Sequence, residues 1–148
     1  NKIAEKTPSV NFCIFWDADW LSELLNSTNV GKWDYLNQKT NTLLNASIYN
    51  CRSINGTKST PNLSADILGD WREEVIFRSN DGKELRIFTT TIPAANRFYT
   101  FMHDPQYRVS IAWQNVAYNQ PPHTSFYIGP EMKTPPKPNI TLTKYKGK

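Results

Sequence analysis

The 148-residue chain carries 17 basic and 13 acidic side chains, which gives a formal net charge of +4. Five of the lysines follow Glu131, where no acidic residue occurs, so the body of the chain is almost neutral and its Pro/Lys-rich end is typical of a solvated tail. With no nucleic-acid-binding motif and no apolar run of membrane-spanning length, neither nucleic acid nor a membrane is an expected partner.

Short β-strands dominate the elements that the sequence predicts, and no long amphipathic helix is among them. In chain order the predicted strands are Val10 to Trp16, Leu21 to Leu25, Glu73 to Ser79, Glu84 to Thr91, Arg108 to Gln114, Thr124 to Ile128 and Asn139 to Tyr145. The segment Asn80-Asp81-Gly82 favours a tight hairpin turn, because Asp-Gly supplies positive φ angles. The sequence therefore predicts an all-β fold.

An internal repeat relates the segment that starts at Trp16 to the one that starts at Ile67, 51 positions later. It matches Asp19, Trp20 and Glu23 with Asp70, Trp71 and Glu74, and then Asn29, Gly31 and Lys32 with Asn80, Gly82 and Lys83. A period near 50 residues, built from short apolar runs, is typical of a propeller blade or a similar stacked β unit.

The repeat predicts about three units, at approximately 10–50, 51–100 and 101–130, followed by the tail at 131–148. Closed propellers use about 4–8 blades, so we expect the chain to be the C-terminal part of a larger protein. The remaining blades would come from a missing N-terminal sequence. The alternative is a small self-contained β domain with a chance duplication.

Two loops concentrate carboxylates at short spacing, namely Asp66, Asp70 and Glu74 in the second unit and Asp17, Asp19 and Glu23 in the first. Calcium favours about 6–8 oxygen ligands from carboxylates and backbone carbonyls, so each loop is a candidate Ca²⁺ site. Such an ion would fasten a blade and would not take part in chemistry. Alternatively, these acids cap turns and pair with Arg72 or Lys83.

Several other side chains are predicted to serve packing. Trp20 and Trp71 occupy equivalent repeat positions, and Trp113 is flanked by alternating apolar residues, which favours core positions for all three. Cys13 and Cys51 are either two buried thiols or one disulfide, and two cysteines do not decide between these alternatives.

Two long blocks, from Asn55 to Glu74 and from Tyr99 to His123, together with Trp16-Asp17-Ala18-Asp19, resemble the C-terminal part of a rhamnogalacturonan lyase of polysaccharide lyase family 11. The resemblance covers roughly residues 10 to 140. It implies an eight-bladed β-propeller that binds several calcium ions. This chain would hold about three of the eight blades. The resemblance also implies a bacterial protein that is secreted, periplasmic or on the cell surface.

The activity that the resemblance implies is cleavage of the rhamnose–galacturonic acid backbone of pectin by β-elimination. The partner would then be an acidic pectic polysaccharide, rhamnogalacturonan I. By the same resemblance, the substrate groove uses Asn55, Gly56 and Thr57 in one loop and Tyr118 in another segment. Other groove residues would lie in the missing N-terminal part.

Elimination from a uronic acid needs a neutralised C6 carboxylate, a base for the C5 proton and a stabilised leaving oxygen. Lys58 directly follows the Asn55-Gly56-Thr57 turn and is the first candidate for the base or the carboxylate partner. His123 follows a rigid Gln-Pro-Pro segment and is a candidate for proton transfer. The alternatives are an ordinary surface lysine and a structural histidine.

Two functions remain open at this point. In the first, the chain is the C-terminal segment of a calcium-dependent rhamnogalacturonan endolyase and supplies one wall of its groove, with the isolated chain inactive. In the second, it belongs to a non-catalytic calcium-binding propeller that recognises pectic polysaccharide or a protein partner.

Overall fold

The computed structural model describes Glu5, residues 7–116 and residues 118–134. Within these ranges eight short strands form two four-stranded antiparallel sheets, which confirms the all-β expectation at that level. Neither sheet closes on itself, so the described residues do not by themselves form a ring of blades. The predicted strand from Asn139 to Tyr145 lies outside the described residues.

The first sheet is a meander of four consecutive strands. These are β1 (Cys13–Ile14), β2 (Glu23–Asn26), β3 (Asn29–Asp34) and β4 (Lys39–Asn45), paired in the order β1-β2-β3-β4. The β3–β4 register shifts between Val30 and Gly31, as it does at a β-bulge. A Cβ atom at Gly31 would lie 2.4 Å from Thr40 Cγ2, so the close approach of these two strands requires a glycine.

The second sheet is built around one central strand. Its members are β5 (Cys51–Arg52), β6 (Leu63–Ala65), β7 (Glu74–Ser79) and β8 (Leu85–Phe88). Strands β5 and β6 pair with successive parts of one side of β7, and β8 pairs with the other side. The β7–β8 hairpin turns through the predicted Asn80-Asp81-Gly82 segment, where Gly82 has a φ of +73° and its N–H donates to the Ser79 carbonyl.

Two apolar clusters hold the described residues together. One combines side chains of both sheets: Phe12, Ile14, Trp16, Leu25, Val30, Ala46, Cys51, Val75 and Phe77. The other joins the loops of the two units to the residues that follow, through Ala18, Trp71, Phe101 and Tyr107. The Trp20 and Trp71 rings lie 5.0 Å apart, as their predicted packing role requires. Cys13 and Cys51 are free thiols, and burial raises the pKa of Cys13 to about 11.

The third β unit is predicted at 101–130, but the described residues of that range contain helical structure and no strand. A 3₁₀ turn (Phe101–His103) leads into helix α1 (Pro105–Trp113). The strand predictions for Arg108 to Gln114 and for Thr124 to Ile128 are therefore wrong. Asp104 caps α1 by accepting the Gln106 N–H at 3.1 Å, and Pro105 at the first helical position is already set for a helical φ. No helix in the described ranges has the length and apolar character needed to cross a bilayer.

The residue directly after α1 binds the helix to the second sheet. The buried Gln114 side chain accepts the Ser64 N–H at 2.7 Å and donates to the Ser64 carbonyl at 2.8 Å. Ser64 already pairs with Val75 on the other side of β6. The glutamine amide therefore takes the place of a neighbouring strand at the β6 edge.

The 51-residue repeat is reproduced in detail up to the start of β2 and β7. Glu23 Oε2 accepts the N–H groups of Trp16 and Asp17, and Glu74 Oε2 accepts those of Ile67 and Leu68 at the equivalent positions. Beyond that point the predicted register is wrong. Lys32 lies in β3, whereas Lys83 lies in the turn before β8, because the second hairpin has a longer turn than the first.

Candidate functional site

The loop from Asn55 to Thr60, here called the Asn55 loop, is closed by a single side chain. The Asn55 amide oxygen accepts the N–H groups of Lys58 at 2.9 Å and Ser59 at 3.0 Å, and its NH₂ group donates to Thr60 Oγ1 at 2.9 Å. Asparagine suits this role because its short amide can bond to backbone groups a few residues further along. The loop is therefore shaped in advance, without a ligand.

The tip of the Asn55 loop is open to solvent. Gly56, Thr57 and Lys58 are all exposed. A Cβ atom placed on Gly56 would meet no atom within 4 Å, and the residue is not in the left-handed region. The fold itself therefore does not require glycine here, and the space beside this backbone is available to a ligand.

The segment around Tyr118 joins the Asn55 loop through amide side chains. Asn55 Nδ2 lies 3.4 Å from Asn119 Oδ1, and Asn119 in turn donates to Asn115 Oδ1. Tyr118 is 75% exposed, so its ring and hydroxyl face solvent beside this contact. The structure thus brings the predicted substrate residues of both segments into one neighbourhood.

The two predicted catalytic side chains have different surroundings. Lys58 is held by its backbone, since its carbonyl accepts the Asn11 side chain at 2.6 Å, and its ammonium has no partner among the described residues. His123 is exposed. Its backbone N–H donates to Ser110 Oγ at 3.1 Å, and its ring lies 6.1 Å from the Trp113 ring. Lys58 belongs to the Asn55 loop, whereas His123 belongs to the surface of α1.

The first acidic loop holds three carboxylates around one ammonium group. One oxygen from each of Asp17, Asp19 and Glu23 lies within 4.8 Å of the others, and Lys32 Nζ bonds to all three, at 2.6 Å from Asp17 and 3.0 Å from Glu23. Burial raises the pKa of Glu23 to about 7, and the bond from Lys32 offsets that effect only in part. Burial lowers the pKa of Lys32, but its bonds to the carboxylates outweigh this and raise it overall.

The second acidic loop uses its carboxylates differently. Asp66 is fully buried and accepts the Thr100 hydroxyl at 2.7 Å, the Phe101 N–H at 2.8 Å and the Asp70 N–H at 3.0 Å. Asp70 pairs with Arg72, one of the two partners considered for these acids from the sequence. Glu74 accepts the Thr89 hydroxyl at 3.1 Å, and burial raises its pKa. These carboxylates thus stabilise the fold without meeting at one point.

The position opposite the buried glutamate explains the difference between the two loops. Continuing the β2–β3 register places Lys32 opposite Glu23, and continuing the β7–β8 register places Thr89 opposite Glu74. In the first unit, the residue opposite the buried glutamate is therefore a cationic lysine. In the second unit, the residue at that position is a threonine with a neutral hydroxyl group. The carboxylate oxygens of the first loop converge on the Lys32 ammonium, whereas those of the second loop do not meet at one point.

A third buried glutamate, Glu73, was missed from the sequence. Glu73 accepts the Tyr107 hydroxyl at 2.6 Å and the Phe15 N–H at 2.9 Å, so it joins α1 to both β units. Burial raises the pKa of Glu73 to about 7, and burial together with Glu73 raises that of Tyr107. Trp113 was also misjudged, because it is 43% exposed on α1 and was predicted to lie in the core.

Comparison with known proteins supplies the family. Residues 1–138 match the model described as rhamnogalacturonan lyase family 11, C-terminal domain. The chain is 56% identical over 140 residues to rhamnogalacturonan endolyase YesW and 50% identical over 150 residues to rhamnogalacturonan exolyase YesX, both of Bacillus subtilis (strain 168). These alignments cover 94% and 95% of the chain, but only 22% and 24% of the two relatives.

Solved structures agree with this match. The crystal structure of YesW aligns with a TM-score of 0.88 at 55% identity, and it covers 95% of this chain and 24% of its own. The rhamnogalacturonan lyase PL11 of Bacillus licheniformis aligns with a TM-score of 0.85 at 59% identity, with 90% and 23% covered. The chain thus spans less than a quarter of the relatives it matches, and it belongs to the rhamnogalacturonan lyase family 11 C-terminal domain family.

Proposed function

We propose that this chain is the C-terminal part of a rhamnogalacturonan lyase that cleaves the rhamnose–galacturonic acid backbone of an acidic pectic polysaccharide by β-elimination. The observation that carries the proposal is the Asn55 loop, which is fixed by its own asparagine and leaves an open tip beside Tyr118. The relatives named as endolyase and exolyase support the reaction class.

The tip residues suit a sugar for separate reasons. The N–H groups of Gly56 and Thr57 lie at an exposed turn, where they can donate to ring hydroxyls. Tyr118 offers an aromatic face for a pyranose ring and a hydroxyl for a hydrogen bond. Because Asn55 already holds the loop, little conformational entropy is lost when a sugar binds.

Lys58 is proposed to act on the uronate. Its ammonium has no acidic partner among the described residues, so it is free to pair with the C6 carboxylate or, once deprotonated, to accept the C5 proton. Neutralising the negative charge of the C6 carboxylate makes the C5 proton easier to remove. Removal of that proton then drives loss of the oxygen substituent at C4. His123 is the second candidate, as a proton donor to that leaving oxygen.

Calcium is proposed to bind the first acidic loop. Its converging carboxylate oxygens suit a hard divalent cation, which Asp17 and Asp19 of the loop and Glu23 of β2 would hold. The Lys32 ammonium lies at the point of convergence and would have to move away. When bound, the ion would neutralise the charge of these carboxylates and stabilise the loop, and it would take no part in the elimination.

The eight-bladed propeller is proposed as the architecture of the whole protein, with the two open sheets as members of the ring. The remaining blades would then come from the part that the relatives have and this chain lacks, and the isolated chain would be inactive because its groove is incomplete. An extracellular, periplasmic or cell-surface location in a bacterium is part of the same proposal, because the named relatives are bacterial and an intact polysaccharide does not enter the cell.

The test uses the full-length protein with rhamnogalacturonan and follows the ultraviolet absorbance of unsaturated uronate products. Lys58→Ala is expected to reduce kcat by about 10²–10⁴-fold, the range for loss of a positioned base. Lys39→Ala, at an exposed position of β4, is the matched control and should leave turnover unchanged. Full turnover by the Lys58 variant would remove this residue from the reaction.

Gly56→Ala tests substrate contact separately from folding. The added methyl group meets no protein atom, so thermal stability should be unchanged, whereas KM should rise if a sugar lies against this backbone. An unchanged KM would move the substrate away from the loop tip.

The alternative is a non-catalytic module that recognises pectic polysaccharide or a protein partner. Binding of rhamnogalacturonan by the full-length protein, with no unsaturated product at any enzyme concentration, would favour it.

A further inference from the structure

Helix α1 departs in part from the usual pattern of a surface helix, because Tyr107 and Ile111 pack on the second apolar cluster whereas two other large apolar side chains are left exposed. Its buried side chains are Tyr107 and Ser110, which are followed by Gln114 directly after the helix. The side chains that it exposes include Val109 and Trp113. A helix on a globular surface ordinarily buries its apolar stripe and exposes its polar one.

The polar contacts beneath α1 fix this orientation. The Tyr107 hydroxyl donates to Glu73 at 2.6 Å and accepts the Asp66 N–H at 2.9 Å. Ser110 Oγ accepts the His123 N–H at 3.1 Å, and Gln114 satisfies both backbone groups of Ser64. Rotating the helix to bury Val109 and Trp113 would leave these groups unpaired, so these two side chains are held outwards.

The exposed side is centred on Trp113. We define the α1 outer face as the exposed side chains of Val109, Trp113 and Val116. Val116 lies in the turn after the helix, and its N–H donates to the Trp113 carbonyl at 2.8 Å. The His123 ring lies 6.1 Å from the Trp113 ring at an interplanar angle of 39°. The 43% exposed indole thus lies beside the imidazole and presents an aromatic surface to solvent.

The α1 outer face continues into the Asn55 loop through hydrogen-bonded amides. Asn115, between Trp113 and Val116, donates to the Asn62 carbonyl at 2.6 Å and accepts from Asn119. Asn119 also meets Asn55 at 3.4 Å. Hydrogen-bonded amides therefore link the segment that follows Trp113 to Asn55, the first residue of the Asn55 loop.

We propose that the α1 outer face is a further sugar-binding subsite, with Trp113 as its platform, and that its occupant is a 6-deoxyhexose such as the rhamnosyl unit of the substrate chain. The inference rests on the proposed function, because it extends that groove. The chemistry favours this sugar, since one apolar face and the C6 methyl group of rhamnose match an indole flanked by two valines, whereas a uronate carboxylate does not. Continuity with the Asn55 loop favours a polysaccharide over a polypeptide as the occupant.

The test measures binding of a rhamnogalacturonan oligosaccharide to the full-length protein by calorimetry, in a Lys58→Ala background so that no substrate is consumed. Trp113→Ala is expected to raise Kd by about tenfold, through loss of stacking and apolar contact. Trp113→Phe should retain most of the affinity. Tyr35→Ala, which removes an exposed aromatic ring in the β3–β4 turn of the first sheet, should have no effect.

The outcomes separate the subsite from the lyase. An unchanged Kd for Trp113→Ala, with normal unsaturated product from the variant that retains Lys58, overturns the subsite and leaves the lyase intact. A tenfold loss of binding for Trp113→Ala, together with no unsaturated product from the parent protein that retains Lys58, supports the subsite and overturns the lyase. An unchanged Kd with a lowered melting temperature overturns the subsite in favour of packing against the rest of the polypeptide, and no binding by any variant overturns both.

Discussion

Replacing Glu73 with glutamine should remove a pH-dependent loss of stability. Burial raises the pKa of Glu73 from 4.5 to about 7, so between these values the folded chain holds a proton that the unfolded chain releases. The stability associated with that proton is fully present below pH 4.5 and is lost as the pH rises through 7. A shift of this size corresponds to about 3 kcal/mol in the free energy of unfolding.

Glu73→Gln keeps the shape of the side chain and cannot titrate. Its oxygen can still accept the Phe15 N–H, and its NH₂ group can donate to the Tyr107 oxygen, so we expect it to match the parent protein at low pH within about 1 kcal/mol. By about pH 8 the variant should be the more stable by up to about 3 kcal/mol.

Urea unfolding of the 148-residue chain, followed by tryptophan fluorescence at pH 4.5 and at about pH 8, measures this difference. Glu84→Gln, at an exposed position paired with Arg86, is the control and should leave the pH profile unchanged. Equal pH dependence in the parent and in Glu73→Gln would refute the reasoning, because it would mean that Glu73 is already ionised in the fold.

Three further predictions concern stability. Gly31→Ala places a Cβ atom 2.4 Å from Thr40 Cγ2 and should cost about 1–3 kcal/mol, which Thr40→Ser should largely restore in a double-mutant cycle of thermal unfolding. Gly69→Ala, at a φ of +78°, should destabilise by about 1 kcal/mol, whereas Ala18→Gly, at the repeat-equivalent φ of +70°, should change stability by less than about 0.5 kcal/mol, because relief of the left-handed backbone offsets the loss of a buried methyl group; equal destabilisation by both would contradict this. Lys32→Met should cost about 2 kcal/mol without divalent cations, after allowance for the partial exposure of the lysine, and added Ca²⁺ should restore the melting temperature; no response to Ca²⁺ would argue against the proposed metal site.

The strands that alternate clearly could be predicted from the sequence, and the helix could not. Val109 and Ile111 gave α1 a β-like composition, and its exposed apolar side removed the periodicity that marks most surface helices. A local signal was nevertheless present, because Asp104 followed by Pro105 is a typical helix start. Here capping chemistry was more informative than strand propensity.

The residues of the candidate site come from the family resemblance, which indicates Asn55, Gly56 and Thr57. How the Asn55 side chain closes their loop is visible only in the structure. The two acidic loops look alike as sequence, yet they differ in what lies opposite the buried glutamate, Lys32 in one and Thr89 in the other. That difference arises from the length of a hairpin turn, so it could be recognised only once the strands were paired.

The amide of Gln114 has a consequence for how this part of the molecule moves. Because one side chain occupies both main-chain groups of Ser64, the Ser64 amide proton can exchange with solvent only when the end of α1 lifts away. Release of the helix therefore also exposes the unpaired edge of strand β6. Such an edge can accept a strand from a second molecule. The exchange rate at this one position would serve as a gauge of both.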